Sequence, residues 1–364
     1  MLDQANILVT PLIEEHRSLN ARLAPFGGWM MPIQYSGIIE EHLWTRKHCG
    51  LFDICHMGEF LIEADLSKSN FERLVTIDLK SMKASTCRYG FMLNEDGGIV
   101  DDLLVYRISG TSWMAVVNAA TTSGDESHMR KRLTGFTSFE NVSASLGKLD
   151  LQGPEAGLVL RSLAGTDIER LRYYSFGYFT VLGEKIIISR TGYTGELGYE
   201  LYMPNQKIAM LWKKILEDGR VRPIGLGARD TLRLEMGYSL YGQDIDAKTS
   251  PLEAGLERFV DWNKDFIGKA ALLKQKKDGL SRRMIYFMAN SRRSPRHNYQ
   301  IFHNAEDAGT VTSGSFSPSL GYGIGMGYVS GEIAAGDQVL LSEGAVSISA
   351  RVVDKPFYKN GSAK

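Results

Sequence analysis

Asn94-Glu95-Asp96-Gly97-Gly98-Ile99-Val100-Asp101-Asp102-Leu103-Leu104-Val105-Tyr106 joins a tight turn to a strand that carries two adjacent carboxylates. Asp-Gly-Gly suits a hairpin turn, because glycine reaches positive φ without a Cβ penalty. The Val/Ile/Leu-rich run behind it has the composition of a strand buried on both faces. Side-chain alternation places Asp102 with Val100, Leu104 and Tyr106, and turns Asp101 the other way with Ile99 and Leu103. Only one of the two can face a given site. A carboxylate among apolar side chains is costly unless paired, so a partner, a ligand or an opening should lie beside it. The alternative is that both carboxylates cap backbone near the strand start, and the pattern alone leaves both readings open.

Working outward, strands are expected at 88–93 and at Trp113-Met114-Ala115-Val116-Val117-Asn118, with helices near 70–77 and 125–133. Upstream, Thr10-Pro11-Leu12-Ile13-Glu14-Glu15-His16 opens a helix that Phe26-Gly27-Gly28-Trp29 ends. Ser36 can cap a second helix over 37–47 with Gly50 after its end, and 51–62 reads as one strand. Downstream, Leu149-Asp150-Leu151-Gln152-Gly153-Pro154 is a strand turning sharply into a helix. Strand 186–190 then enters the glycine-punctuated hairpin Thr191-Gly192-Tyr193-Thr194-Gly195-Glu196-Leu197-Gly198-Tyr199-Glu200-Leu201-Tyr202, where Glu200 and Tyr202 share a face. Helix 206–218 carries one apolar stripe. Strands and helices mixed in this order imply an α+β fold. From about Arg283 short strands and Gly/Ser turns define an all-β C-terminal domain, and Gly321 to Tyr328 alternates glycine with larger residues, baring one strand face to close approach. Residues 274–283 are polar enough for a domain boundary.

Across 364 residues, Lys+Arg and Asp+Glu both count 42. This balance gives no electrostatic footprint for nucleic acid or an anionic membrane. Cys49, Cys55 and Cys87 form neither a disulfide framework nor a CxxC pair, which fits a reducing compartment. Residues 1–6 lack the features of a leader, and no apolar run approaches spanning length, so a cytoplasmic location is expected. The proximity of His48, Cys49, Cys55 and His56 invites a metal site, but adjacent strand residues point apart and no zinc spacing is matched; buried thiols and a hydrogen-bonded histidine are expected.

Gly225-Leu226-Gly227-Ala228-Arg229-Asp230-Thr231-Leu232-Arg233-Leu234-Glu235 lacks the third glycine of a dinucleotide loop. As a helix it stacks Arg229 over Arg233, a like-charge pair that calls for a nearby carboxylate or anion. A local alternative has Asp230 reach Arg233 and leaves Arg229 solvated.

Together the stretches TPLIEEH, PFGGWMMPIQY, LFDICHMGEF, NEDGGIVDDLLVY, LDLQGPEA, SRTGYTGELGYELY, GLGARDTLRLEMGYSLYGQDID, DFIGKAAL, GTVTSGSFSPSLG and KPFY resemble the glycine cleavage system T protein (aminomethyltransferase) family over nearly the whole chain. The resemblance implies an enzyme that uses tetrahydrofolate as one-carbon acceptor. The carbon would come from an aminomethyl group on the lipoyl arm of a carrier (H) protein, with release of ammonia. It implies three domains around a central folate site: residues 1–50 with 147–275, residues 51–146 carrying Asp102, and a β-barrel or jelly-roll-like domain over 280–364. It places Asp102 against the reacting region of folate, Glu200 and Arg229 at the pterin edge, and Met57, Tyr89, Asn118, Tyr173, Tyr193 and Tyr238 along the ligand. No metal is implied.

Four positions depart from the family pattern: Leu197 stands where an acid is usual, Cys55 where serine is common, Trp262 replaces a smaller residue, and Asn298 occupies a usual glycine. Asparagine tolerates left-handed backbone, so the last change should be mild. The departures bear on the donor more than on folate. They keep two alternatives in view: a folate-dependent demethylase of a small methylated amine or sulfonium compound, and a non-catalytic folate-binding regulatory protein.

Overall fold

The computed structural model describes residues 7–363; the leader reading of residues 1–6 lies outside them. A six-stranded sheet has the order Phe176–Val181, Glu184–Ser189, Gly198–Pro204, Leu146–Gln152, Cys49–Asp53, Val221–Ile224. A five-stranded sheet runs Thr86–Leu93, Ile99–Arg107, Ser112–Val117, Gly58–Glu63, Ser138–Asn141. The six C-terminal strands, from Arg283–Ala289 to Val346–Val353, close into a barrel. The α+β fold and the all-β C-terminal unit are as the sequence implies, and closure removes the open edges that a jelly roll would keep. Among the described residues no helix is long and apolar enough to cross a membrane.

The expected strand 51–62 is two strands in different sheets. Cys49–Asp53 lies within the six-stranded sheet and Gly58–Glu63 within the five-stranded one, with a non-strand crossing at 54–57. Continuous hydrophobicity hid the break, because both halves are buried against different cores. Strand membership supports, as a proposal, the three-unit division, with its first crossing after Asp53 and not at 51.

Three local expectations are corrected. The first helix spans Ile13–Ser18, and Phe26 to Trp29 is the turn of a hairpin between Arg22–Phe26 and Trp29–Gln34, where Gly27 and Gly28 both have positive φ. The second helix, Ile38–Lys47, is capped by Glu41, whose Oε1 accepts the backbone N–H groups of Tyr35, Ser36 and Gly37, while Gly50 is a strand residue. The helix expected at 70–77 is only Phe71–Leu74.

Gly98 turns the 94–98 hairpin against residues 246–249. A Cβ there would meet the Ala247 carbonyl oxygen at 1.9 Å, the same oxygen that accepts from Asn94 Nδ2 at 2.9 Å. Gly98→Ala should therefore destabilise the protein by roughly 1–3 kcal/mol or more. Thermal unfolding checks this, and an unchanged melting temperature would contradict it.

A buried charge cluster ties the barrel to the rest. Arg46 Nη1 donates to the Thr194 carbonyl at 2.6 Å and Glu196 Oε1 at 2.7 Å, and its Nη2 to Glu235 Oε2 at 2.8 Å. Glu235 also accepts from Ser317 and Ser319 of the barrel, and Glu196 accepts the Ser362 N–H at 2.9 Å. Burial alone would raise the Glu235 carboxyl, but His42, Arg46 and Ser317 outweigh it and hold the group down at about 2. Asn298 takes φ +70°, the left-handed backbone expected of it.

Candidate functional site

Burial along Ile99–Arg107 follows the expected alternation: Ile99, Asp101, Leu103 and Val105 are buried, and Val100, Asp102 and Leu104 are half-buried. The first face packs into the core of the five-stranded unit and the second turns toward the six-stranded sheet. Asp102 stands opposite Phe91, and Tyr89 pairs with Leu104, so Tyr89 lies diagonally on the same face. Its hydroxyl donates to Asp102 Oδ2 at 2.8 Å. Val117 ends the neighbouring strand, and Asn118, one residue on, donates its amide to Asp102 Oδ1 at 2.8 Å and to Asp101 Oδ1 at 2.8 Å. Asp101 Oδ2 accepts the Asn118 backbone N–H at 2.9 Å. Asp101 thus satisfies a backbone donor, as the capping reading had it, whereas Asp102 has side-chain partners. Burial, with the Asp101 charge adding, pushes the Asp102 carboxyl up to about 7; Tyr89 and Asn118 act against it.

Tyr106, on the Asp102 face and roughly 13 Å farther along the strand, reaches across to the six-stranded sheet. Its hydroxyl meets the Tyr202 hydroxyl at 2.9 Å, Ser189 at 3.2 Å and Glu200 Oε2 at 3.4 Å. Glu200 Oε2 also accepts from Thr191 at 2.9 Å and Tyr202 at 3.3 Å, with Lys148 Nζ at 3.5 Å. Among the described residues nothing donates to Glu200 Oε1. Burial would raise Glu200, but Lys148 foremost, then Thr191 and Arg229, keep it below its ordinary value, so it is an anion.

Arg229, on the helix Leu226–Glu235, donates Nη1 to Asp150 Oδ2 at 2.6 Å, and its Nε and Nη2 have no protein acceptor among the described residues. Asp150 is the expected carboxylate beside Arg229; Arg233 is met separately, by Asp230 and Asp244 at 2.7 Å each. The local alternative is therefore right for Arg233 and wrong for Arg229. Tyr193 stacks on Tyr238 with ring centroids 5.7 Å apart and lies 5.1 Å from the Arg229 guanidinium. The Tyr193 hydroxyl donates to the Ser239 carbonyl. Met57 ends the crossing at 54–57 and sets its sulfur 3.7 Å from Lys148 Nζ.

The sequence-predicted residues thus form two linked groups, an Asp102–Tyr89–Asn118 end and a Glu200–Arg229–Tyr193 end, with no direct contact of Asp102 to Glu200 or Arg229. Tyr173 is 42% exposed and packs edge-on against Tyr174, at the periphery of both. Sequence reasoning missed Lys148, Asp150, Tyr106, Thr191 and Phe259, the last lying 4.7 Å from the Tyr89 ring. The available signal was the alternation Lys148-Leu149-Asp150-Leu151-Gln152, a polar row on a strand whose other face is core. His48, Cys49, Cys55 and His56 do not converge: His48 pairs with Glu155 at 3.0 Å, and the Cys55 sulfur exchanges hydrogen bonds with the Lys148 backbone. Among the described residues no group of three or more His, Cys, Asp or Glu side chains is placed to hold a metal ion.

Chemically, the two ends offer an anion whose charge titrates near neutrality, one unsatisfied carboxylate acceptor, unsatisfied guanidinium donors and a stacked aromatic surface, which suits a flat polar heterocycle at one end and developing positive charge at the other. Residues 12–264 match the family model described as the GCVT N-terminal domain, and residues 282–359 match the glycine cleavage T-protein C-terminal barrel domain. An aminomethyltransferase of Halothermothrix orenii is 45% identical over 353 residues, covering 96% of this chain and 99% of the relative. One of Listeria monocytogenes serotype 4a is 44% identical over 357 residues, covering 97% and 98%. The crystal structure of glycine cleavage system aminomethyltransferase T from Bartonella henselae superposes with a TM-score of 0.91 at 34% identity, covering 98% of this chain and 100% of that one.

Proposed function

The chain belongs to the glycine cleavage T-protein family of aminomethyltransferases, and from that premise we propose that Asp102, Glu200 and Arg229 divide tetrahydrofolate-dependent one-carbon transfer between them. The chain is an aminomethyltransferase of the glycine cleavage system, and aminomethyltransferases of this family are folate-dependent in general. In this reading the donor is the aminomethyl group on a lipoylated carrier (H) protein of that system. Bound tetrahydrofolate would supply the nitrogen that accepts the one-carbon unit.

The residues present fit such a ligand. Glu200 Oε1 is an acceptor without a protein donor, and Arg229 Nε and Nη2 are donors without protein acceptors, so a polar heterocycle edge would satisfy both. Tyr193 and Tyr238 give aromatic surface beside them. Met57 would add apolar contact and Tyr173 would flank the entrance. The observation that carries the reading is Asp102, held by Tyr89 and Asn118 on the face that looks toward Glu200. As an anion it would stabilise the positive charge that develops on the one-carbon unit as the carrier sulfur departs. Tyr89 and Asn118 fix its orientation, so no reorganisation is needed as charge appears.

Formation of methylenetetrahydrofolate from aminomethyl-lipoyl carrier protein, with dimethylglycine offered in parallel, tests the reading. Product from the carrier alone is expected. Product from dimethylglycine alone would move the chain to the demethylase alternative, and none from either donor to the regulatory one. Glu200→Gln and Arg229→Ala should each weaken tetrahydrofolate binding by roughly 1–3 kcal/mol, since each leaves a polar edge unpaired. Unchanged calorimetric affinity in both variants would place the ligand's polar edge elsewhere.

A further inference from the structure

The strand Leu146–Gln152 lies between Gly198–Pro204 and Cys49–Asp53 and presents a row of three polar residues, Lys148, Asp150 and Gln152, each fully buried. Its other face, Leu149 and Leu151, belongs to the core. Asp150 is the register partner of Glu200, so two carboxylates stand directly opposite one another on adjacent strands. Like charges so placed are destabilising, and burial sharpens the repulsion. Each is offset by its own cation: Asp150 by Arg229 at 2.6 Å and Glu200 by Lys148 at 3.5 Å. The four charges run Lys148, Glu200, Asp150, Arg229, with a cation on each side of the carboxylate pair. Gln152 holds the outer corner, donating Nε2 to Asp150 Oδ1 and to the Thr191 carbonyl while accepting from Thr194.

The pairing decides which atoms remain free. Lys148 lies on the Oε2 side of Glu200, where Thr191, Tyr106 and Tyr202 also donate, and Oε1 is left without a donor. Asp150 takes Arg229 Nη1, leaving Nε and Nη2. The other carboxyl acting on Lys148, that of Glu59, is pushed by burial up to about 8, so near neutrality it is largely uncharged and Glu200 is the counterion. Without Lys148 and Asp150, Glu200 and Arg229 would be the remaining opposite charges on this wall and would pair with each other.

We infer that Lys148 and Asp150 are positioning residues that hold Glu200 and Arg229 apart and aim Glu200 Oε1 and Arg229 Nε and Nη2 at the ligand; this rests on the tetrahydrofolate reading above. A pocket without this pair would present an internally closed Glu200–Arg229 ion pair and a poor edge for a heterocycle. The role concerns ligand recognition and leaves Asp102 untouched, so KM and kcat should separate.

Calorimetric titration of the full-length chain with tetrahydrofolate, beside steady-state rates with aminomethyl-lipoyl carrier, tests this. Lys148→Met and Asp150→Asn should each raise Kd and the folate KM about tenfold or more, with kcat at saturating folate within about threefold. The double variant Lys148→Met/Asp150→Asn keeps the net charge and lets Glu200 and Arg229 pair, so it should fold as judged by circular dichroism and still lose affinity. In a Glu200→Gln background Lys148→Met should add little, because the residue it aims is gone. Wild-type protein that binds folate together with a folded double variant that binds equally well overturns the inference alone. Wild-type protein that fails to bind overturns the tetrahydrofolate reading, and the inference with it.

Discussion

Asp102→Asn is expected to lower turnover at least ~100-fold while leaving the fold and most folate affinity in place. Asparagine nearly preserves shape and can still accept from Tyr89, but it removes the anion, and loss of one preorganised electrostatic group costs about this much. Because burial and Asp101 push the Asp102 carboxyl up to about 7, the active anionic fraction rises with pH through that value. The wild-type kcat/KM profile should therefore show an acid limb near pH 7 that Asp102→Asn abolishes. Asp101→Asn should be the milder catalytic change, though not a silent one, since Asp101 and Asp102 share the Asn118 amide. Burial and Asp125 push the Asp101 carboxyl well up and Asp101 shares a hydrogen bond with Asp125, so in Asp101→Asn the amide keeps a donor toward Asp125 and gives up one acceptor toward Asn118, and the stability cost should be small. Single-turnover rates, affinity and melting temperature of both variants separate these effects. If Asp101→Asn abolished turnover and Asp102→Asn did not, the strand would be assigned to the wrong face.

Arg46→Met should produce the largest loss of stability, about 3–5 kcal/mol, because it leaves Glu196 and Glu235 buried without their shared cation. The methionine fills similar volume, so the loss reports charge more than cavity. Glu235 is held at about 2, below its ordinary value of 4.5, so its contribution to stability is present above about pH 4.5 and disappears as pH falls toward 2. Without Arg46 that depression shrinks. The deficit of the variant should accordingly be larger at pH 7 than at pH 4. Urea or thermal unfolding at both values checks this, and a variant as stable as wild type at pH 7 would remove the cluster from the account of how the barrel is held.

Much of the fold was legible because local chemistry and tertiary context agree. The 94–106 hairpin, the helix Leu226–Glu235 and the glycine-alternating strand of the barrel stand where period and turn residues place them. In that strand Gly325 approaches the Phe287 ring and the Ser313 carbonyl, the close contact that alternation anticipated. Misreadings fell where one local signal serves two structures. A hydrophobic run over 51–62 looks the same whether it feeds one sheet or two, and Phe-Gly-Gly-Trp can stop a helix or turn a hairpin.

Residues 94–106 carry in their own order the facts that Asp101 and Asp102 face opposite ways and that glycine turns the chain before them, because backbone geometry makes both local. The family resemblance, carried by short motifs along the chain, likewise needed no coordinates. What no linear order contains is that Asp150 stands across from Glu200, that Lys148 and Arg229 divide between them the two carboxylates, or that Tyr106 bridges the two sheets. Those are matters of register and sheet packing between segments 50 or more residues apart in sequence. Coulomb energies in a buried site depend on separations of a few ångströms, which only the folded chain sets.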